Sequence, residues 1–227
     1  LTCSLIIEEG LELNELRNQI DEIDDELIEV IASEPKIVKY LDIPIQHCND
    51  RILKLMNRRG DNAFLQELFG KLRSKVPGIV LRTSVITGLP GEGDEEFREL
   101  CDFLKKMRLE RVGAFPFSPE EGTPAAEMEH IDFEVAIQRA QMVESIQSQI
   151  MDEYNAAMIG KTLRVLVDGY DEDFEQFYGR TFADSPEIDG RVWIASDEAL
   201  VEGRFVNVCV DGLIDGELSG YIVEEQI

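Results

Sequence analysis

Basic residues are what this 227-residue sequence most lacks: 22 lysines and arginines stand against 47 aspartates and glutamates, for a formal net charge of −25. A surface of that sign repels phosphate backbones, so nucleic acid is disfavoured as a direct substrate and a basic protein partner is favoured. Cysteine is scarce and unpaired. Cys3, Cys48, Cys101 and Cys209 are widely scattered with no CxxC pair, which argues against a disulfide framework and a zinc finger and leaves reduced, core-type thiols with no metal site. Long apolar runs are missing too, since no stretch reaches the roughly 18 residues of a membrane span. The N-terminus has no basic region followed by an apolar core, so the expectation is a soluble, cytoplasmic protein with no membrane partner.

What is present suffices for a real core, at 44% hydrophobic composition, in one large or two ordinary domains. Residues 24–33 read as an amphipathic helix with Leu27, Ile28 and Ile31 on one face and acids in its first turn, ended by Pro35. A strand over 37–45, a short helix over 49–57 and a second helix over 62–75 follow, the latter with Phe64, Leu65, Leu68 and Leu72 spaced for one face. The basic cluster Lys54, Arg58, Arg59, Lys71, Arg73 and Lys75 reads as a solvated helix face.

The most telling stretch is Arg82-Thr-Ser-Val-Ile-Thr-Gly-Leu-Pro-Gly-Glu92. An apolar, β-branched run from Ile79 to Thr87 predicts a buried parallel strand. Gly88, Pro90, Gly91 and Gly93 break it, and Asp94, Glu95 and Glu96 supply an N-cap and first-turn acids to a helix reaching about Arg108. A third strand is expected from Arg111 to Phe117. Strands alternating with helices mean a parallel sheet, part of a (β/α) barrel, whose ligand sits beyond the carboxyl ends of the strands. Arg82, Thr83, Thr87 and Glu92 thus become site candidates, as do Gln46 and His47 after the first strand and Ser118 after the third.

A long helix is expected from Asp132 to about Met158, ending at Gly160, and then the pattern changes. Residues 161–227 alternate apolar and polar positions between turn signals at Asp168-Gly169, Asp189-Gly190, Glu202-Gly203, Asp211-Gly212 and Asp215-Gly216. That reads as a small antiparallel barrel. With sixteen acids against five bases in 161–227, RNA is an unattractive ligand for it. Gly160-Lys161-Thr162 imitates the end of a phosphate loop, but it runs from helix to strand, the wrong order. The glycines after Thr87 lack GxGxxG spacing and open an acidic helix that repels phosphate.

Taken together, four segments resemble one family. Tyr40-Leu-Asp-Ile-Pro-Ile-Gln-His47, Ile52-Leu-Lys-Leu-Met56 with Arg58, Arg82 to Glu92, and Phe117-Ser118 with Glu121-Gly-Thr-Pro-Ala125 are similar to the radical S-adenosylmethionine methylthiotransferases. Tyr178 to Gly190 resembles the branch that modifies an aspartate of the twelfth small-subunit ribosomal protein, a basic partner of the kind the acidic second domain favours.

The resemblance implies an α/β fold in which a partial radical-SAM (β/α) barrel over 1–131 passes through a connecting helix, 132–159, into a TRAM-like β-barrel over 160–227. It implies S-adenosylmethionine as cofactor, positioned by Gln46, His47, Arg82, Thr83, Glu92 and Ser118, with Glu92 a partner for its amino or ribose groups; no catalytic residue is assigned. It also implies [4Fe–4S] clusters in the complete enzyme, whose CxxxCxxC ligands are not in this chain: Cys3 is followed by Ile7 and Gly10 at the required spacing. The first 23 residues are too short for the first half of a barrel, so the chain reads as the C-terminal part of such an enzyme, inactive as written. Cys48, where the family has glycine, reads as an inert buried thiol. Two alternatives stay open, a transfer-RNA adenosine methylthiotransferase and a non-catalytic protein-binding fragment.

Overall fold

The computed structural model describes residues 26–186 and 188–224. Of the expected first helix, Asp24 and Asp25 lie outside the described residues; 26–33 form α1, which buries Ile28 and Ile31 and leaves Leu27 exposed. β1 (Tyr40–Asp42), β2 (Val80–Thr87) and β3 (Arg111–Pro116) form a parallel sheet in that order, with α2 (Asp50–Leu55), α3 (Asn62–Lys75) and α4 (Asp94–Met107) between the strands. In α3 the buried stripe is Leu65, Phe69 and Leu72, and Phe64 stays half exposed. Arg73 is no solvated charge, because it donates to the carbonyl of Arg108 at 2.7 Å and to Glu110 at 2.9 Å, tying α3 to the end of α4. Gly93, rather than Asp94, caps α4, and the Glu96 carboxylate accepts its N–H at 2.9 Å.

β1 is shorter than the expected 37–45, and at its C-terminal end the cause is Pro44, which brings no N–H to the ladder. The break is bridged from β2. The Thr83 hydroxyl donates to the Ile43 carbonyl at 2.7 Å and accepts the Ile45 N–H at 3.1 Å, so a side chain stands in for the missing backbone rung. Pairing resumes at Gln46, whose N–H reaches Ser84 O and whose carbonyl receives Ile86 N–H.

Alternation along β2 then sorts the site candidates onto two faces. Leu81, Thr83, Val85 and Thr87 are fully buried toward the helices, with Phe69, Leu72, Leu100 and Leu104 among the core residues there. Arg82, Ser84 and Ile86 point the other way and are half-buried, in register with Arg111, Gly113 and Phe115 of β3.

α5 (Phe133–Ala156) runs alongside β3 and leads into a closed barrel of β4 (Thr162–Asp171), β5 (Gln176–Arg180), β6 (Val192–Ala195), β7 (Phe205–Ile214) and β8 (Glu217–Ile222). Four of its five seams are antiparallel, and β6 pairs with β8 in parallel. The core is Val165, Val167, Val192, Ile194, Val208, Val210 and Leu218. Asp215 and Gly216, both at positive φ, make the two-residue turn between β7 and β8. Two other signals prove not to be turns. Asp168-Gly169 and Asp211-Gly212 lie inside β4 and β7 at register shifts, where bulges bend the long strands around so small a barrel.

The two parts are joined by polar contacts. Gly160 N–H donates to Val210 O and Asn155 Nδ2 to Gly216 O, both at 2.8 Å. Arg111 Nη2 reaches Asp184 at 2.8 Å, and Tyr40 donates its hydroxyl proton to Asp189 at 2.8 Å. Burial and the Asp189 carboxylate both raise the Tyr40 pKa, keeping the phenol protonated as a donor.

Candidate functional site

The carboxyl ends of the three strands meet at Gln46, at Thr87-Gly88 and at Phe117-Ser118, where Phe117 N–H bonds Thr87 O at 2.8 Å. Gln46 holds φ 67°, a left-handed conformation that costs a non-glycine residue on the order of 1 kcal/mol and persists only where the surroundings impose it. Ser118 is exposed and opens a loop that folds back through a 3₁₀ turn at Pro124–Glu127, capped by Thr123. His130 closes that loop with its ring 5.7 Å from Phe117 and Nε2 2.7 Å from the Ala125 carbonyl oxygen. Below this rim the half-buried face presents Ser84, Gly113 and Ile86, with Phe115 54% exposed. That is an apolar shelf edged by hydroxyl and amide groups.

The six expected cofactor contacts are not gathered at one point. Gln46 and Ser118 stand at the rim. Arg82 points to the same face but is the third residue of β2, roughly 16 Å below the strand end at about 3.3 Å per residue. There it is paired with Asp42 of β1. Partial burial opposes its charge, yet the Asp42 hydrogen bond together with the negative charge of Asp42 and Asp189 outweighs that, and the Arg82 pKa is raised.

His47, Thr83 and Glu92 lie behind the rim, in the interior. The side chains of His47 and Glu92 have no exposed surface, and Thr83 is spent on β1. Glu92 Oε1 accepts the Gly88 N–H at 3.0 Å and Arg139 Nη1 at 2.7 Å, while Oε2 faces His47 Nε2 at 3.5 Å. His47 Nδ1 accepts the Asn49 N–H at 2.9 Å, so the ring proton is assigned to Nε2, aimed at the carboxylate. Thr87 is committed likewise, its hydroxyl donating to Ala136 O of α5 at 2.9 Å. Burial excludes direct contact between these groups and a ligand on the open face in this arrangement.

Sequence reasoning missed Arg139, Asp42, Ser84 and Arg111. Arg139 had a legible signal. Ala136, Arg139, Ala140, Val143, Gln147 and Ile150 form the buried stripe of α5, and an arginine on such a stripe needs a buried acid. Asp42 and Arg111 carried no comparable signal, because their partners are set by strand register and by the barrel.

No group of three or more His, Cys, Asp or Glu that would hold a metal ion occurs among the described residues. Cys48 is buried in the core, its thiol pushed up by burial and then by Glu99; Cys3 lies outside the described residues. The described chain therefore does not fit an iron–sulfur cluster. Clefts on the barrel side include one of about 410 Å³ among Tyr178, Arg180, Ser185, Arg191 and Glu217, and one of about 760 Å³ between Val38 and Phe182, Phe205 and Arg164. No described helix is long and apolar enough to cross a membrane.

Comparison with known proteins adds to this geometry. The radical SAM superfamily matches residues 4–104, and the TRAM domain matches 159–223. The chain is 44% identical over 219 residues to ribosomal protein uS12 methylthiotransferase RimO of Acetivibrio thermocellus, which covers 96% of this chain and 48% of that protein. It is 46% identical over 204 residues to the RimO of Anaeromyxobacter sp. strain Fw109-5, covering 89% and 43%, and 45% identical over 201 residues to that of Lachnoclostridium phytofermentans, covering 88% and 46%. The chain spans about half the length of the curated relatives it matches.

Proposed function

For a chain that is RimO-like, with a radical SAM segment followed by a TRAM domain, we propose a part in adding a methylthio group to an aspartate of ribosomal protein uS12. One observation carries this reading: the 44% identity extends over 219 residues, 96% of the chain, so the match takes in both domains.

In this reading S-adenosylmethionine would lie on the open face, where, given one electron from a reductant that the described residues do not hold, it would supply the radical that abstracts hydrogen, and it would also supply the methyl group that is transferred. The residues of this chain orient it. Ile86 and Phe115 offer apolar contact to the purine; Gln46 and Ser118 offer hydrogen bonds at the rim and Ser84 one below it. Arg82, its charge matched by Asp42, forms part of the floor. His47, Thr83 and Glu92 support the rim from within. No step is assigned to an iron–sulfur cluster, since the described residues hold no ligand set for one.

The acidic barrel is the docking surface for the basic protein substrate, by charge complementarity. Its sixteen acids against five bases in 161–227 disfavour transfer RNA. Mass spectrometry of uS12 and of transfer RNA from cells relying on the full-length enzyme tests the reading. A methylthio-aspartate on uS12 is expected, and modification confined to adenosine in transfer RNA overturns it.

A further inference from the structure

α5 connects the two domains at both of its ends. At one end Ala136 packs on the rim so tightly that a Cβ on Gly88 would meet its Cβ at 2.4 Å. At the other, Asn155 bonds the β7–β8 turn. The whole helix extends about 36 Å, at about 1.5 Å per residue over 24 residues. One side chain of this helix reaches through the interior to the rim.

Arg139, 6% exposed, donates to the Glu92 carboxylate at 2.7 Å, to the Glu92 carbonyl at 3.1 Å and to Asp94 at 2.8 Å. Its guanidinium also lies 5.2 Å from the centre of the Phe97 ring. Glu92 passes the contact on in two directions, to the backbone of Gly88 at the end of β2 and to His47 after β1. Among the described residues His47 Nε2 and Glu92 Oε2 have no hydrogen-bond partner, and these two atoms face each other across 3.5 Å. His47 is bonded to Gln46 through the peptide, and Gln46 is the residue held in a left-handed conformation.

Resting on the reading that the rim faces S-adenosylmethionine, we propose that Arg139 is a positioning residue for that rim, acting through Glu92 and His47 to hold Gln46. The physical cause is the cost of an uncompensated buried carboxylate. Without Arg139 the buried Glu92 carboxylate has no guanidinium beside it, and its hold on the Gly88 amide and on the His47 ring weakens. Gln46 then relaxes toward ordinary backbone angles and its side chain leaves the shelf. The seating of α5, which carries the barrel, is thereby linked to the geometry of the ligand face.

The test compares wild type, Arg139→Gln and Arg139→Lys in this chain, by amide hydrogen exchange and by titration with S-adenosylhomocysteine. Faster exchange of the Gln46 and Ile86 amides in Arg139→Gln is expected, by about tenfold or more, the weight of one charge-assisted hydrogen bond. Barrel amides should be unchanged, and Arg139→Lys should restore part of the protection. Unchanged exchange at 45–49, or a uniform rise that includes the barrel, overturns the proposal. Weaker binding of S-adenosylhomocysteine by Arg139→Gln, with the barrel amides unchanged, completes the expected result. If wild type binds no S-adenosylhomocysteine while local exchange still responds, the cofactor reading fails and the coupling of Arg139 to Gln46 stands.

Discussion

Arg111 of β3 and Asp184 of the loop between β5 and β6 meet at 2.8 Å, with 7% of either side chain exposed, and so fasten the barrel to the sheet. Asp189 adds a second carboxylate at 3.7 Å from Arg111 Nε. Asp184 is not free to swing away, since it also accepts from the Thr181 N–H at 2.9 Å and hydroxyl at 2.6 Å. Arg111→Met should leave two carboxylates buried without their cation and cost about 3–5 kcal/mol, the range for breaking a buried pair from one side. Urea unfolding checks it; a change under about 1 kcal/mol would mean the junction is wet.

Thr83 carries the break in β1. Thr83→Val keeps the shape but strands the Ile45 N–H and the Ile43 carbonyl in the interior, for an expected loss of about 1–3 kcal/mol. Thr83→Ser should retain most of the stability, because the hydroxyl, not the methyl, makes the bridge.

Barrel closure depends on two glycines with no room for a side chain. A Cβ on Gly179 would sit 2.2 Å from Leu166 O, and one on Gly220 2.2 Å from Cys209 O. Gly179→Ala and Gly220→Ala should each destabilise by about 1–3 kcal/mol or more, as over-packing against backbone does. Gly78→Ala, where nothing lies within 4 Å, pays only for its positive φ of 78° and serves as the milder comparison in thermal melts.

The Arg51 hydrogen bond, and then the backbone N–H groups at the start of α4, hold the Glu96 carboxyl below its usual range. A folded-state pKa that is lowered stabilises above the unfolded value of about 4.3 and is lost as pH falls through the folded one. Stability of wild type should therefore fall more steeply below about pH 4.3 than that of Glu96→Gln, as followed by thermal melts across an acid series.

Burial, with Glu99 adding to it, pushes the Cys48 thiol well above the ordinary cysteine range. The reactive thiolate is thus disfavoured as well as shielded. In native protein near pH 8 iodoacetamide should label Cys101 and Cys209, both partly exposed, before Cys48. Mass spectrometry should find Cys48 alkylated only after unfolding.

Much of the fold was legible in local pattern. Strand and helix periods and the change to short alternating runs after Gly160 are dictated by neighbours in the chain. The rim at Gln46, Gly88 and Ser118 was legible for the same reason, since a ligand site in a parallel sheet follows from where strands end. Which candidates reach that rim was not. His47, Thr83 and Glu92 read as polar groups at strand ends, and only the packing of α5 and the gap at Pro44 turn them inward.

By itself the sequence determined the order of elements, the acidic character of the second domain and the absence of a CxxxCxxC motif, because composition and spacing are properties of the chain. Tertiary structure alone decided that Asp168-Gly169 and Asp211-Gly212 are bulges, that Arg82 belongs to Asp42, and that Arg139 reaches the rim through Glu92. Each of those depends on a partner between about 40 and 50 positions away, or on the curvature of a closed sheet, and no local propensity encodes either.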